Sequence, residues 1–133
     1  MIKVGLIGAG KMGISHLSIL GAHQDVEVVG VCDTSKIVMD VLKKYTAFPC
    51  YTDYVDMLKQ SQPDAVFVAV PTKYHAGMVK KILEDGRHVF VEKPLCLTMN
   101  EGEQLVDLAR QKNLINQVGY HNKFIGTFSE VKK

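Results

Sequence analysis

A chain of 133 residues, 47% hydrophobic and 23% charged, holds enough apolar material for one domain with a real core. Sixteen Lys+Arg interspersed with fourteen Asp+Glu leave a formal net charge of +2, so there is no electrostatic case for nucleic acid as a partner. Cys32, Cys50 and Cys96 are odd in number and match no zinc spacing, which argues against a disulfide framework and a metal site, and no run of about 18 apolar residues suggests a membrane segment. The chain reads as cytoplasmic, with its first strand where a leader would lie.

Residues 2–7 form a short apolar run of strand length. Gly8, Gly10 and Gly13 follow at the spacing G-x-G-x-x-G, and Ile14, Leu17, Ile19 and Leu20 behind them predict one apolar helix face ending near Gly21. A second strand over 26–32 leads to Asp33. Thr34 and Ser35 can cap a helix carrying Ile37, Val38, Val41 and Leu42. Residues 48–51 contain Pro49, which demotes them to a strand at or near a sheet edge. Asp53 begins a short helix over Val55, Met57 and Leu58, and residues 65–70 then read as a strand covered on both faces. A helix over 73–84 stops at Asp85-Gly86, a strand spans 87–91, Thr98 caps a helix to about residue 111, and residues 114–119 make a sixth strand. Strands alternating with helices imply α/β architecture: a doubly wound parallel sheet of six strands, the Rossmann arrangement, with helices on both faces.

In such a sheet the strand ends share one edge, and ligands bind there. Gly8, Asp33, Pro71-Thr72, Glu92-Lys93-Pro94 and residues 120–123 all fall just beyond strands. Gly8 permits a tight turn, Gly10 omits the Cβ that would obstruct a pyrophosphate, and Gly13 lets helix and strand approach. The helix start behind them favours an anion. Asp33, about 20 residues beyond the last glycine, is placed to bind both ribose hydroxyls and repel a 2′-phosphate. NAD is therefore favoured, although Lys36 keeps NADP possible. Met12 is expected to pack beneath the pyrophosphate. Lys93 follows an apolar strand and precedes a proline, which aims its side chain at the functional edge. His16 and His75, each early in a helix, read as packing or hydrogen-bonding residues, and His121 lies on the same edge as Lys93.

These residues resemble the N-terminal domain of the Gfo/Idh/MocA oxidoreductases, the glucose-fructose oxidoreductase and inositol dehydrogenase family. The matching pieces are Gly8-Ala9-Gly10-Lys11-Met12-Gly13, Asp33, Val70-Pro71-Thr72 with His75, Glu92-Lys93-Pro94 and Val118-Gly119-Tyr120. The resemblance implies a nicotinamide cofactor held by those glycine-turn residues with Asp33, Val70, Pro71, Thr72 and Glu92. It also implies hydride transfer to or from a secondary alcohol of a sugar, cyclitol or related polyol. Lys93 would be the catalytic residue, beside the nicotinamide and the reacting hydroxyl on a cis Lys93–Pro94 peptide, with Glu92 orienting Lys93 or meeting the nicotinamide ribose. His121 and Lys123 would be substrate contacts, although relatives often carry arginine in place of Lys123, so a bidentate grip is lost. Residues 1–123 are expected to be the dinucleotide-binding domain. Residues 124–133 would begin a connecting helix to a second, absent domain, with Phe124, Ile125 and Phe128 left exposed and turnover missing from this chain alone. A homo-oligomer is left open, and a non-catalytic NAD-binding sensor is the alternative.

Overall fold

The computed structural model describes residues 1–131. Its strands are β1 (Ile2–Ile7), β2 (Val26–Cys32), β3 (Cys50–Tyr51), β4 (Ala65–Val68), β5 (His88–Val91) and β6 (Asn116–Val118). Between and after them run α1 (Lys11–Ala22), α2 (Lys36–Tyr45), α3 (Tyr54–Ser61), α4 (His75–Glu84), α5 (Met99–Gln111) and α6 (Gly126–Val131). Among the described residues the strands form one sheet in the order β3-β2-β1-β4-β5-β6, every pair parallel. The order reverses at β1, so the crossovers before and after it place helices on opposite faces.

Two cores result, one on each face. Leu6, Leu17, Val31, Met39 and Leu42 pack beneath α1 and α2, whereas Ile7, Met57, Leu58, Val66, Val68, Val79, Ile82, Leu83, Val91 and Leu105 pack beneath α3, α4 and α5. Adjacent Leu6 and Ile7 point to different cores, the alternation expected of a strand covered on both sides. On the α1 face β4 and β5 stack Phe67 on Phe90 with centroids 4.7 Å apart, and the His16 ring lies against both.

The expected elements are present with shifted limits. β4 stops two residues before the predicted end, and a 3-10 turn over Thr72–Tyr74 precedes α4. β3 is the edge strand and only two residues long, as its proline suggests. The apolar face expected for α2 is corrected in part: Leu42 is buried and Val38 packs against the core as expected, whereas Ile37 and Val41 are 78% and 51% exposed and Met39 is buried instead. A helix beside a two-residue edge strand has little sheet to cover, so its buried stripe is narrow. In α1, likewise, Leu17 is buried whereas Ile14 and Ile19 are exposed. Ser35, not Thr34, supplies the cap oxygen of α2, accepting from the Val38 N–H. Of the connecting helix expected over residues 124–133, residues 132 and 133 lie outside the described residues, and Phe124, Ile125 and Phe128 are exposed at 71%, 40% and 53%. Among the described residues no helix is long and apolar enough to cross a membrane.

Candidate functional site

The C-terminal ends of β1, β2, β3 and β4 enclose a cleft of ≈ 520 Å³ lined by Gly8, Gly10, Asp33, Asp53, Val70 and Pro71 among others. The three glycines of the turn meet different surroundings. Gly8 takes φ 96°, where a side chain is strained, and a Cβ there would run into the backbone of Ala69. A Cβ on Gly13 would collide with the carbonyl of Gly8. A Cβ on Gly10 would meet nothing within 4 Å. Gly8 and Gly13 are thus demanded by the protein's own packing, and Gly10 faces open space.

That space lies at the start of α1, where Gly10 is the N-cap and makes no side-chain cap bond. The first-turn N–H groups of a helix have no partners within it, and the dipole there favours negative charge. An open cradle at such an end fits a pyrophosphate. Across it, Asp33 is fixed by two backbone donors: Oδ2 accepts from Ala9 N–H and Oδ1 from Ser35 N–H, each at 2.8 Å. Each carboxylate oxygen keeps a lone pair for a further donor such as a ribose hydroxyl. The residues therefore fit a dinucleotide.

The strand ends beyond the cleft bring the remaining predicted residues to the same edge. Lys93 is exposed on a loop after β5, and its peptide to Pro94 is cis, as the resemblance implied. Two histidines brace that loop. Glu92 Oε1 lies 2.7 Å from His16 Nε2, a contact spanning 76 residues. His75, 1% exposed, sets Nδ1 2.7 Å from the Pro94 carbonyl oxygen and Nε2 2.8 Å from that of Val70. One buried ring thereby ties the segment after β4 to the segment after β5. Both partners only accept, so a neutral ring donates to one of them and a doubly protonated ring to both.

Gly8, Gly10, Asp33, Val70 and Pro71 are brought together as cleft lining. Ala9 and Gly13 are buried behind it, and Lys11 and Met12 are exposed at the start of α1. Thr72 opens the 3-10 turn; Glu92, Lys93, His121 and Lys123 lie outside the cleft lining, the last two on an exposed turn over His121–Phe124. Sequence reasoning missed Thr52, Asp53, Tyr54, Tyr74 and Met78 as further lining residues. Asp53 was read only as a helix start, which it also is, its side chain accepting from Asp56 N–H. The signal that could have found it is its place just after a strand, which it shares with Asp33. Among the described residues no cluster of His, Cys, Asp and Glu could hold a metal ion.

Comparison with known proteins agrees with this geometry. A family model described as "Oxidoreductase family, NAD-binding Rossmann fold" matches residues 2–120. The chain is 33% identical to a glycosyl hydrolase family 109 protein of Shewanella putrefaciens and 32% identical to an alpha-N-acetylgalactosaminidase of Shewanella oneidensis, in each case over all of this chain and 32% of the relative. It spans about a third of the length of these curated relatives. Among solved structures, scyllo-inositol dehydrogenase from Lactobacillus casei with bound NAD(H) and scyllo-inositol superposes with TM-score 0.89 at 27% identity, covering 99% of this chain and 40% of that one. The WlbA dehydrogenase of Bordetella pertussis, in complex with NADH and UDP-GlcNAcA, gives 0.90 at 28% identity, covering 98% and 40%. With its glycine turn and six-stranded parallel sheet, this chain belongs to the Gfo/Idh/MocA oxidoreductase family and is an NAD-binding domain of it.

Proposed function

We propose that this chain forms the cofactor half of the active site of an oxidoreductase acting on a secondary alcohol of a sugar, cyclitol or related polyol. The observation that carries this reading is the bracing of Lys93: Glu92 bound to His16 on one side and Pro94 bound to His75 on the other. A solvated surface lysine needs no such support. The bound nicotinamide supplies the hydride acceptor. Asp33, held by Ala9 and Ser35, receives the ribose hydroxyls, and Gly10 leaves room for the diphosphate at the start of α1. Val70, Pro71 and Thr72 form the adjoining wall. Lys93 offers its ammonium to the substrate oxygen, holding that oxygen and stabilising alkoxide character as the carbon–hydrogen bond weakens. Glu92 positions Lys93 through its contact with His16. His121 and Lys123 reach the substrate from the turn after β6.

Much of the rate of such a reaction comes from holding the alcohol carbon against the cofactor in a water-poor pocket. Lys93 is exposed, and the chain spans only 32% of its curated relatives, so the enclosing walls come from elsewhere in the whole protein. The chain by itself is expected to bind NAD and to turn over nothing. Calorimetric titration with NAD, followed by absorbance of the reduced cofactor with a panel of sugars and cyclitols, tests both statements. Robust turnover lost in Lys93→Ala would show that 133 residues build a whole active site. A second reading, glycoside cleavage, is favoured by the names of the Shewanella relatives. In the whole protein, release of a glycosidic leaving group without net cofactor reduction would select it, because NAD-dependent glycosidases are known exceptions to the two-carboxylate mechanism.

A further inference from the structure

The cleft contains a second carboxylate that the dinucleotide motif does not require. β2 and β3 end side by side: Cys32 pairs with Tyr51, and the Asp33 N–H donates to the Tyr51 carbonyl at 3.2 Å. Neighbouring strands lie about 4.8 Å apart, so Asp33 and the Thr52-Asp53 pair leave the sheet as neighbours. Both acids line the cleft together with Gly8 and Gly10. The buried Cys32 thiol registers the two charges, being pushed up to about 12 first by burial, then by Asp53 and then by Asp33. Neither acid is neutralised, since among the described residues no lysine, arginine or histidine nitrogen lies within ion-pair distance of either. Lys36, the cation that could welcome a 2′-phosphate, is exposed and is not among the lining residues.

We propose that Asp53 is a second cofactor-selectivity residue, which with Asp33 makes the ribose end of the cleft doubly negative and so rejects a dinucleotide carrying a 2′-phosphate. This rests on the reading of Asp33 as the ribose ligand. A 2′-phosphate brings about −1.5 to −2 charges at neutral pH, so each nearby carboxylate repels it more strongly than it affects a neutral hydroxyl pair. Asp33 alone could instead accommodate NADP by turning away. Its two bonds to Ala9 and Ser35 resist that movement, and Asp53 adds repulsion independent of it.

The test separates charge from helix capping. Asp53 also caps α3 through Asp56 N–H, and serine caps about as well as aspartate, so Asp53→Ser removes the charge and keeps the cap. NAD and NADP are titrated into the wild-type chain, Asp53→Ser and the control Asp56→Asn, at low and high salt. Asp53→Ser should bind NADP about fivefold more tightly and NAD within about twofold of wild type, with the gain shrinking as salt screens the charges. Asp56→Asn should leave the ratio of the two affinities unchanged. An unmoved ratio in Asp53→Ser, or equal weakening of both cofactors, overturns the proposal while leaving the cofactor reading intact. Wild-type chain that binds neither dinucleotide overturns that reading and this proposal with it. Asp53→Thr, which keeps a hydroxyl cap, serves if the serine variant fails to fold.

Discussion

A methyl group at Gly13 would meet the carbonyl of Gly8, backbone that cannot step aside, whereas at Gly10 it would meet nothing. The two positions should therefore fail in opposite ways. Gly13→Ala should lower stability by about 2–4 kcal/mol or prevent folding, as overpacking against fixed backbone does. Gly10→Val should change stability by no more than about 1 kcal/mol yet weaken NAD binding at least about a hundredfold, because its branches would fill the cradle. Urea denaturation and calorimetry on the two variants check this, and loss of binding in a stable Gly13→Ala would contradict it. The placement of Gly8, Gly10 and Asp33 around one cleft was legible from spacing, because the turn geometry and the acid after the second strand are local features. The partners of Glu92 and His75 were not. His16 lies 76 residues from Glu92, and no local pattern announces a contact formed only when α1 and the end of β5 meet across the sheet.

Helix termini were legible where a cap is a short-range exchange of hydrogen bonds. α5 begins with a complete capping box: Thr98 accepts from Glu101 N–H at 3.3 Å, and Glu101 Oε2 accepts from Thr98 N–H at 3.1 Å. Thr98→Ala removes one half of that exchange and should cost about 1 kcal/mol, seen as a lower urea midpoint with an unchanged slope. An unchanged midpoint would mean that α5 is held by packing against the core through Leu105, Leu108 and Ala109. Helix faces were read less well. Of the face expected for α2, Leu42 and Val38 meet the core while Ile37 and Val41 stay exposed, and Met39 takes the buried place beside Leu42. Strand length followed the same logic. β3 pairs only through Cys50 and Tyr51, with Val31 and Cys32 of its neighbour, just after the proline that demoted it.

Stability of the molecule as a whole should depend on alkaline pH through Cys32. Its thiol is raised from 9.0 to about 12 in the native state, chiefly by burial, so the unfolded chain loses that proton first. The stability this group contributes is fully present below about pH 9 and is lost as pH rises towards 12. Urea midpoints from about pH 8 to about pH 11 should fall, and Cys32→Ala should flatten that slope even if it lowers the starting value. A slope unaltered by the substitution would place the titration elsewhere. The doubly wound parallel architecture was legible because strands alternate with helices along the sequence, but the cleft's second acid depends on β3 lying beside β2, a fact of assembly. That assembly has a cost in time. β1 sits at the centre of the sheet, pairing with β2 on one side and, through Val4 and Ala65, with β4 on the other. Ribosomes add about 5–20 residues per second, so several seconds separate the birth of β1 from that of its second neighbour. For that interval the nascent β1–β2 pair presents an open edge and the apolar side chains of Leu6 and Ile7, the kind of surface that chaperones shield and that seeds aggregation when synthesis outruns them.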